Sequence, residues 1–301
     1  MKTHLAPIFC LSIVWSLVIP AAVSFGADQE SLKRALEAEI KSSGADVSLA
    51  FRDLETGDTV FIREKEMVHA ASTMKVPVLI EVFKQAGQGK FGLDDRLPLK
   101  NEFRSLVDGS PFSLQQADDS DKEIYAFIGR DMPIRELAER MITLSSNLAT
   151  NILVELVQAK NVMATLQELG IRQMQVRRGV EDSLAYEKGL NNQTDAYDLM
   201  SVMQVIAEGK AGSESACQEM VRILRRQTFR KGIPAGVPAN VPVANKTGSI
   251  TGMEHDVAII FPAGRKPYVL AVLTRGVKNS EEGEKLIARL SVLVYREVTG
   301  K

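Results

Sequence analysis

The chain predicts an α/β fold of the α+β type: an antiparallel sheet flanked by N- and C-terminal helices, joined to an all-helical lobe. Three observations carry this. Strand-like apolar runs lie near the two ends of the sequence, helical periodicity fills the middle from Met74 to about Arg226, and the strand-like runs are bracketed by further helical patterns. A chain of 301 residues is long enough for one large two-lobed unit with a sizeable core.

Met1-Lys2-Thr3-His4, the apolar run from Leu5 to Val23 and the small-residue end Ser24-Phe25-Gly26 read as a signal peptide over 1–26, cleaved after Gly26. Pro7 and Pro20 argue against a retained membrane anchor, so the mature catalytic domain is expected to be residues 27–301, periplasmic or secreted. Leu32, Leu36 and Ile40 mark a helix. Val47–Leu54 and Thr59–Arg63 flank Glu55-Thr56-Gly57-Asp58 as a hairpin. Helical patterns follow, broken by loops, with Thr194 read as the N-cap of the helix after Asn192. Val257–Phe261 and Tyr268–Thr274 are strand-like, and a long helix starts at Asn279 with Glu282 three residues on. The α/β lobe is thus expected over about 28–69 and 235–301, the helical lobe over about 70–234, and a ligand site in the cleft between them.

Composition excludes several classes. With 37 Lys+Arg against 38 Asp+Glu, the formal net charge is −1, and nothing calls for nucleic acid or an anionic membrane. Cys10 falls in the leader, leaving Cys217 alone in an apolar-periodic helix as a buried small hydrophobe, so no internal disulfide forms. His4, His69 and His255 lack metal-ligand spacing, and neither a metal nor an organic cofactor is expected. Gly87-Gln-Gly-Lys-Phe-Gly92 matches a phosphate-binding glycine pattern but follows a helix instead of a strand. His255 and Asp256 are adjacent on a strand and face opposite ways, which argues against a Ser-His-Asp triad and for a structural histidine. A monomer is expected.

Three motifs carry chemistry. Ser72-Thr73-Met74-Lys75 opens an apolar helical run, which predicts Ser72 and Lys75 one turn apart on one face. There a desolvated amine can take the serine's proton, and helix-terminal N–H groups can hold an oxyanion. Ser145-Ser146-Asn147 joins two amphipathic runs: either Ser145 and Asn147 point into a cleft, or Ser145 or Ser146 only caps the second helix. Lys246-Thr247-Gly248-Ser249 precedes the last two strands. Glycine on an edge strand lets a ligand lie against backbone, the lysine brings charge, and Thr247 and Ser249 bring hydroxyls.

In the order S-x-x-K, S-x-N, K-T-G, these motifs match the set shared by penicillin-binding proteins and class A β-lactamases. From about residue 30 to the C-terminus the chain resembles the class A serine β-lactamase family. Glu181, in Arg177-Arg-Gly-Val-Glu-Asp-Ser-Leu-Ala185, matches the family's E-x-x-L-N pattern through Leu184 and is implied to be the base that activates water. The resemblance implies that Ser72 attacks the β-lactam carbonyl and Lys75 takes or relays its proton. It places the oxyanion between the N–H groups of Ser72 and Ser249. It has Ser145, near Lys246, protonate the departing nitrogen and Asn147 hold the side-chain amide. Lys246, Thr247, Gly248 and Ser249 are then the carboxylate end of the site.

Departures from the pattern matter. Ala185 stands where the family has an asparagine that holds the hydrolytic water, which implies slow deacylation. Ser146 replaces an aspartate. No proline occurs between Pro133 and Pro234, and the segment between the first two motifs, including Phe103–Pro111 and Asp118–Asp121, is longer than the family norm. A D-alanyl-D-alanine peptidase or esterase acting on cell-wall peptide, and a non-catalytic cell-wall-binding protein, are the alternatives.

Overall fold

The computed structural model describes residues 25–300. The expected leader lies outside the described residues except for its last two positions. These open helix α1 (Phe25–Ser43), which packs Leu32 and Leu36 inward and ends where Gly44 turns the chain at φ 70°.

Strands β1 (Asp46–Asp53) and β2 (Thr59–Ile62) form the expected hairpin, and β3 (Val243–Ile250), β4 (Met253–Ile260) and β5 (Tyr268–Arg275) complete the sheet. Every pairing is antiparallel and the strand order is β2-β1-β5-β4-β3, which puts the Lys246-Thr247-Gly248 strand on an edge. The first strand thus pairs with the last, Asp46 opposite Arg275 and Asp53 opposite Tyr268, and closes the ends of the chain into one lobe.

Both sheet faces are covered, so these strands read as continuous apolar runs instead of alternating ones. Val47, Leu49, Phe51, Leu270 and Val272 join one core with α1 and with α9 (Ser280–Thr299). Ala50, Val257, Ile259, Ala271 and Leu273 join a larger core with the helical lobe. A fully buried Val, Leu or Ile contributes roughly 1.5–3 kcal/mol, so the two-sided burial fixes the sheet that carries β3.

The helical lobe is built around α2 (Lys75–Gly87), whose Val76, Val78, Leu79, Ile80 and Val82 are all buried. Apolar side chains on every side place this helix inside a core, and its buried Gln85 and Glu81 are satisfied by each other at 2.7 Å. Around it stand α3 (Ile134–Thr143), α4 (Asn147–Val157), α5 (Ala159–Glu168), the short α6 (Ser183–Glu187), α7 (Ala196–Ala207) and α8 (Glu214–Arg225), the last of which buries Cys217. One cap shifts from the expected residue. Asp195, not Thr194, caps α7 by accepting the N–H of Asp198 at 2.6 Å, while Thr194 pairs with Val68 in a small two-stranded ladder. Both residue types can cap; the ladder takes Thr194 and leaves the next residue to do so. The C-terminal helix starts as expected, Asn279 accepting the N–H of Glu282 at 3.0 Å.

Candidate active site

The ladder that pairs His69 with Gln193 delivers the chain to a tight turn. Ala71 is left-handed (φ 46°), and its N–H donates to His69 Nδ1 at 3.0 Å. Ser72 lies within a 3₁₀ turn, Ala71–Met74, that feeds α2, so it sits before the α-helix proper and not on its face as the spacing predicts. Edge strand β3 presses against this turn. A Cβ on Gly248 would meet Ser72 N at 3.0 Å and Ala71 Cβ at 3.1 Å, so glycine here permits the close approach of the strand to Ser72. His255 is structural, as expected. It is fully buried, its Nδ1 accepts the N–H of Thr274 at 3.2 Å, and its Nε2 therefore donates to His69 O at 3.0 Å. Burial lowers its pKa to about 4 and keeps it neutral.

Ser145, at the α3–α4 junction with φ 56°, points into the cleft. Lys75 Nζ donates to Ser145 O at 2.7 Å and to Asn147 Oδ1 at 2.8 Å, and lies 3.2 Å from Ser145 Oγ. Lys246 Nζ reaches the same hydroxyl at 3.0 Å and donates to Thr247 O at 2.8 Å. One serine hydroxyl is thus held between two fully buried amines, each contributed by a different lobe. Burial pushes Lys75 down to about 7, against the pull of Asp119 and Glu181. Burial and the neighbouring Lys75 push Lys246 well below the lysine range, against Asp256 and Glu254. An amine poised as Lys75 is exchanges protons near neutral pH.

Ser146 caps α4, accepting the N–H of Ala149 at 3.3 Å. The caps are shared, however. Asp119, almost fully buried, accepts the N–H of Asn147 at 3.0 Å and of Leu148 at 2.9 Å, and also takes the Tyr125 hydroxyl at 3.1 Å. The carboxylate missing at position 146 is delivered by the Asp118–Asp121 segment. Sequence reasoning overlooked this role; the only signal was an acidic run in the longer rim segment.

Glu181 is the third left-handed residue of the site (φ 63°). Holding a non-glycine residue there costs about 1–3 kcal/mol, and the loop shows what holds it. Asn192 clamps its base, accepting the N–H of Arg177 at 2.8 Å and donating to Arg178 O at 3.0 Å. Asn151 of α4 clamps its middle, donating to Val180 O at 3.0 Å and accepting Val180 N–H at 2.7 Å. A Cβ on Gly179 would lie 2.2 Å from Asn151 Oδ1, so the clamp requires glycine. Asp182 ties the loop to the rim, accepting from Ser105 Oγ at 2.9 Å and Leu106 N at 2.8 Å, and caps α6 through Ala185 N–H at 3.0 Å. The Glu181 carboxyl accepts from Asn147 Nδ2 at 3.2 Å. Its pKa is raised by desolvation and by Asp118, opposed by Lys75. The cap on α6 turns Ala185 fully inward and leaves Leu184 exposed, so Ala185 does not line the cleft.

Ser72, Asn147, Glu181 and Ser249 line one cavity of about 570 Å³, together with His69, Arg178 and Tyr186. Ser72, Ser145, Thr247 and Ser249 line an adjoining one of about 250 Å³. Lys75 and Lys246 lie beneath, bonded to Ser145, and Gly248 lies against Ser72. A hydroxyl beside helix-terminal N–H groups, a bridging serine with two amines, and a carboxylate across the cavity together form the parts of an acyl-transfer site.

Comparison with known proteins gives the same frame. The family model described as beta-lactamase enzyme family matches residues 31–298. The chain is 28% identical over 255 residues to the carbapenem-hydrolyzing beta-lactamase KPC of Klebsiella oxytoca, covering 81% of each, and 26% identical over 284 residues to beta-lactamase CTX-M-97 of Escherichia coli, covering 91% of each. Among solved structures, the ancestral (GNCA) class A beta-lactamase superposes with a TM-score of 0.77 at 26% identity, over 88% of this chain and 99% of that one.

Proposed function

This chain belongs to the beta-lactamase enzyme family, and on that premise we propose that it opens β-lactam rings through an acyl-enzyme on Ser72. Ser72 Oγ attacks the lactam carbonyl carbon, and its proton passes to Lys75, whose amine is drawn down to about 7. The oxyanion is held by the N–H groups of Ser72 and Ser249. The ring C–N bond then breaks, and Ser145 gives its hydroxyl proton to the nitrogen, with Lys246 and Lys75 restoring it. Asn147 holds the side-chain amide of the substrate, and Thr247 and Ser249 meet the group borne by the departing nitrogen. Glu181 removes a proton from water, whose oxygen attacks the ester carbonyl; the acyl C–O bond to Ser72 Oγ then breaks, and the proton taken up by Glu181 passes to that oxygen.

The single observation that carries this reading is the Ser145 hydroxyl, 3.2 Å from Lys75 Nζ and 3.0 Å from Lys246 Nζ. It supports a proton path from the nucleophile side to the leaving nitrogen. A D-alanyl-D-alanine peptidase would use the same Ser72, Lys75, Ser145 and Lys246, and the buried methyl of Ala185, which cannot bind a water, favours it as the second reading.

No described helix is long and apolar enough to cross a membrane, and a periplasmic or secreted monomer is the setting proposed here. Incubation with a chromogenic cephalosporin and a fluorescent penicillin tests the function. Turnover of the first is the expected result. A persistent covalent label without turnover would transfer the assignment to the peptidase reading, and neither turnover nor label would leave a binding protein.

A further inference from the structure

The smaller cavity is bounded by Ser72, Ser145, Thr247 and Ser249 on one side and by Glu254, Ser280 and Glu284 on the other. If Ser145 serves the departing nitrogen, the substituent on that nitrogen enters this corner. No Lys or Arg is among the residues that bound it. Lys246 lies behind, but its amine is engaged by Ser145 and Thr247 O and faces the like-charged Lys75.

Glu254 dominates the corner. It stands opposite Ser249 in the β3–β4 ladder, so the two side chains share a sheet face. The Thr274 hydroxyl accepts the Glu254 N–H at 3.0 Å and donates to its C=O at 2.6 Å, which fixes the backbone. Helix α9 closes over the side chain where Gly283 lets it: a Cβ there would lie 2.6 Å from Glu254 Cβ. Glu254 is consequently 5% exposed, and its Oε2 has no hydrogen-bond partner. A carboxylate arriving at Thr247 and Ser249 would meet this group and Glu284, which pairs with Lys231 at 3.8 Å.

We propose that this corner accepts an uncharged or cationic hydrogen-bond donor, a carboxamide or an ammonium, in preference to a carboxylate, and that Glu254 sets that choice. The inference rests on the acyl-transfer reading of the same cleft and replaces the carboxylate that the family resemblance implies there. An acceptor with a free lone pair in a nearly dry wall is satisfied by a donor and opposed by an anion.

The charged and titratable groups facing Glu254 are Lys246 from β3 and Glu284 from α9. Burial raises its pKa to about 7, Glu284 adds to the rise, and the Ser249 and Ser280 hydroxyls and Lys246 oppose it. Below that pH Glu254 is itself a donor and tolerates a carboxylate; above it, the ionised group excludes one. Lys75 titrates in the same range, so the informative quantity is a ratio of rates.

The experiment compares Ser72 acylation by one penicillin as its free acid and as its primary carboxamide, on both sides of pH 7, in wild type and Glu254→Gln. The expected result is a carboxamide preference of about 10- to 100-fold above pH 7 that shrinks below it, as like charges a few ångströms apart near a protein surface predict. In Glu254→Gln the ratio becomes flat with pH and the preference falls about tenfold. A wild-type preference for the free acid at every pH would overturn the proposal, whether or not the variant folds. So would an unchanged ratio in Glu254→Gln. If neither compound acylates Ser72, the acyl-transfer reading falls and this inference with it.

Discussion

Ser72 shares one cavity with Glu181, and Ser145, Lys75 and Lys246 stand behind Ser72, but the two sides are built differently. Ser72 and the three behind it stand on or beside regular elements of both lobes, and the lysines are fully buried. Glu181 is exposed on a loop whose shape depends on Asn151, Asn192 and Asp182, each bonding side chain to backbone. The difference separates the two steps of the proposed mechanism. Bond opening draws on a packed, preorganised cradle. Release draws on a loop whose left-handed Glu181 is held by a few polar contacts instead of by packing. The cradle should therefore yield only to removal of its own groups, and the loop to changes in its supports.

The largest expected effect is that of Ser72→Ala, which removes the nucleophile and abolishes covalent labelling by penicillin. Stability should change by no more than about 1 kcal/mol, because a partly exposed hydroxyl at a turn is a small loss. Intact-protein mass spectrometry and a thermal melt check both halves; full-rate acylation in the variant would remove Ser72 from the role.

Gly179→Ala tests the loop without touching a reacting group. Its Cβ would displace the Asn151 amide and break two hydrogen bonds to Val180, each worth about 0.5–1.5 kcal/mol. We expect a lowered Tm and a deacylation rate that falls by more than the acylation rate. Equal slowing of both steps, read by single-turnover kinetics, would erase the division between cradle and loop.

The pH course should separate the two sides as well. A base must be unprotonated to act, so acylation should rise as pH rises through about 7, where Lys75 loses its proton. Deacylation should fall as acid protonates Glu181, whose pKa is raised above the ordinary glutamate range by desolvation of its carboxyl inside the cleft and by Asp118. A common titration for both steps, measured by pre-steady-state kinetics, would point to one shared base.

Ala185→Asn gives the smallest effect. Because position 185 is turned away from the cleft, the added amide should not reach the hydrolytic water, and release should change by less than about twofold. Because Ala185 is fully enclosed, the larger side chain should also lower Tm, an overpacking cost of about 1–3 kcal/mol. Release faster by about 2- to 12-fold, the worth of one hydrogen bond of about 0.5–1.5 kcal/mol, would mean that position 185 reaches the water despite the cap.

The motifs were legible because their chemistry depends on short spacing: Ser72 to Lys75, Ser145 to Asn147, Lys246 to Ser249. The sheet and its hairpin were legible from apolar runs and the Glu55–Asp58 turn. What spacing cannot report is contact between distant segments. Asp119 replaces a carboxylate absent at position 146 only because the rim segment folds back onto the start of α4. Ser72 was expected on a helix face, but the close packing of Gly248 and the left-handed Ala71 place it in a tighter turn. Ala185 matched a motif position, yet the Asp182 cap on α6 turned it away from the cleft. Glu254 lies outside the strand-like run that begins at Val257, and only the strand pairing with Ser249 and the closure of α9 at Gly283 make it a wall of the site.

The central claim is that opening and release are separate steps, one in the cradle and one on the loop. Glu181→Gln tests it most directly, followed by rapid-quench mass spectrometry with a penicillin. The account predicts that Ser72 is acylated at a near-normal rate in the variant and that the adduct persists, with release slowed about 100- to 10,000-fold, as loss of a general base typically costs. Wild-type turnover in Glu181→Gln, with no accumulated adduct, would contradict it.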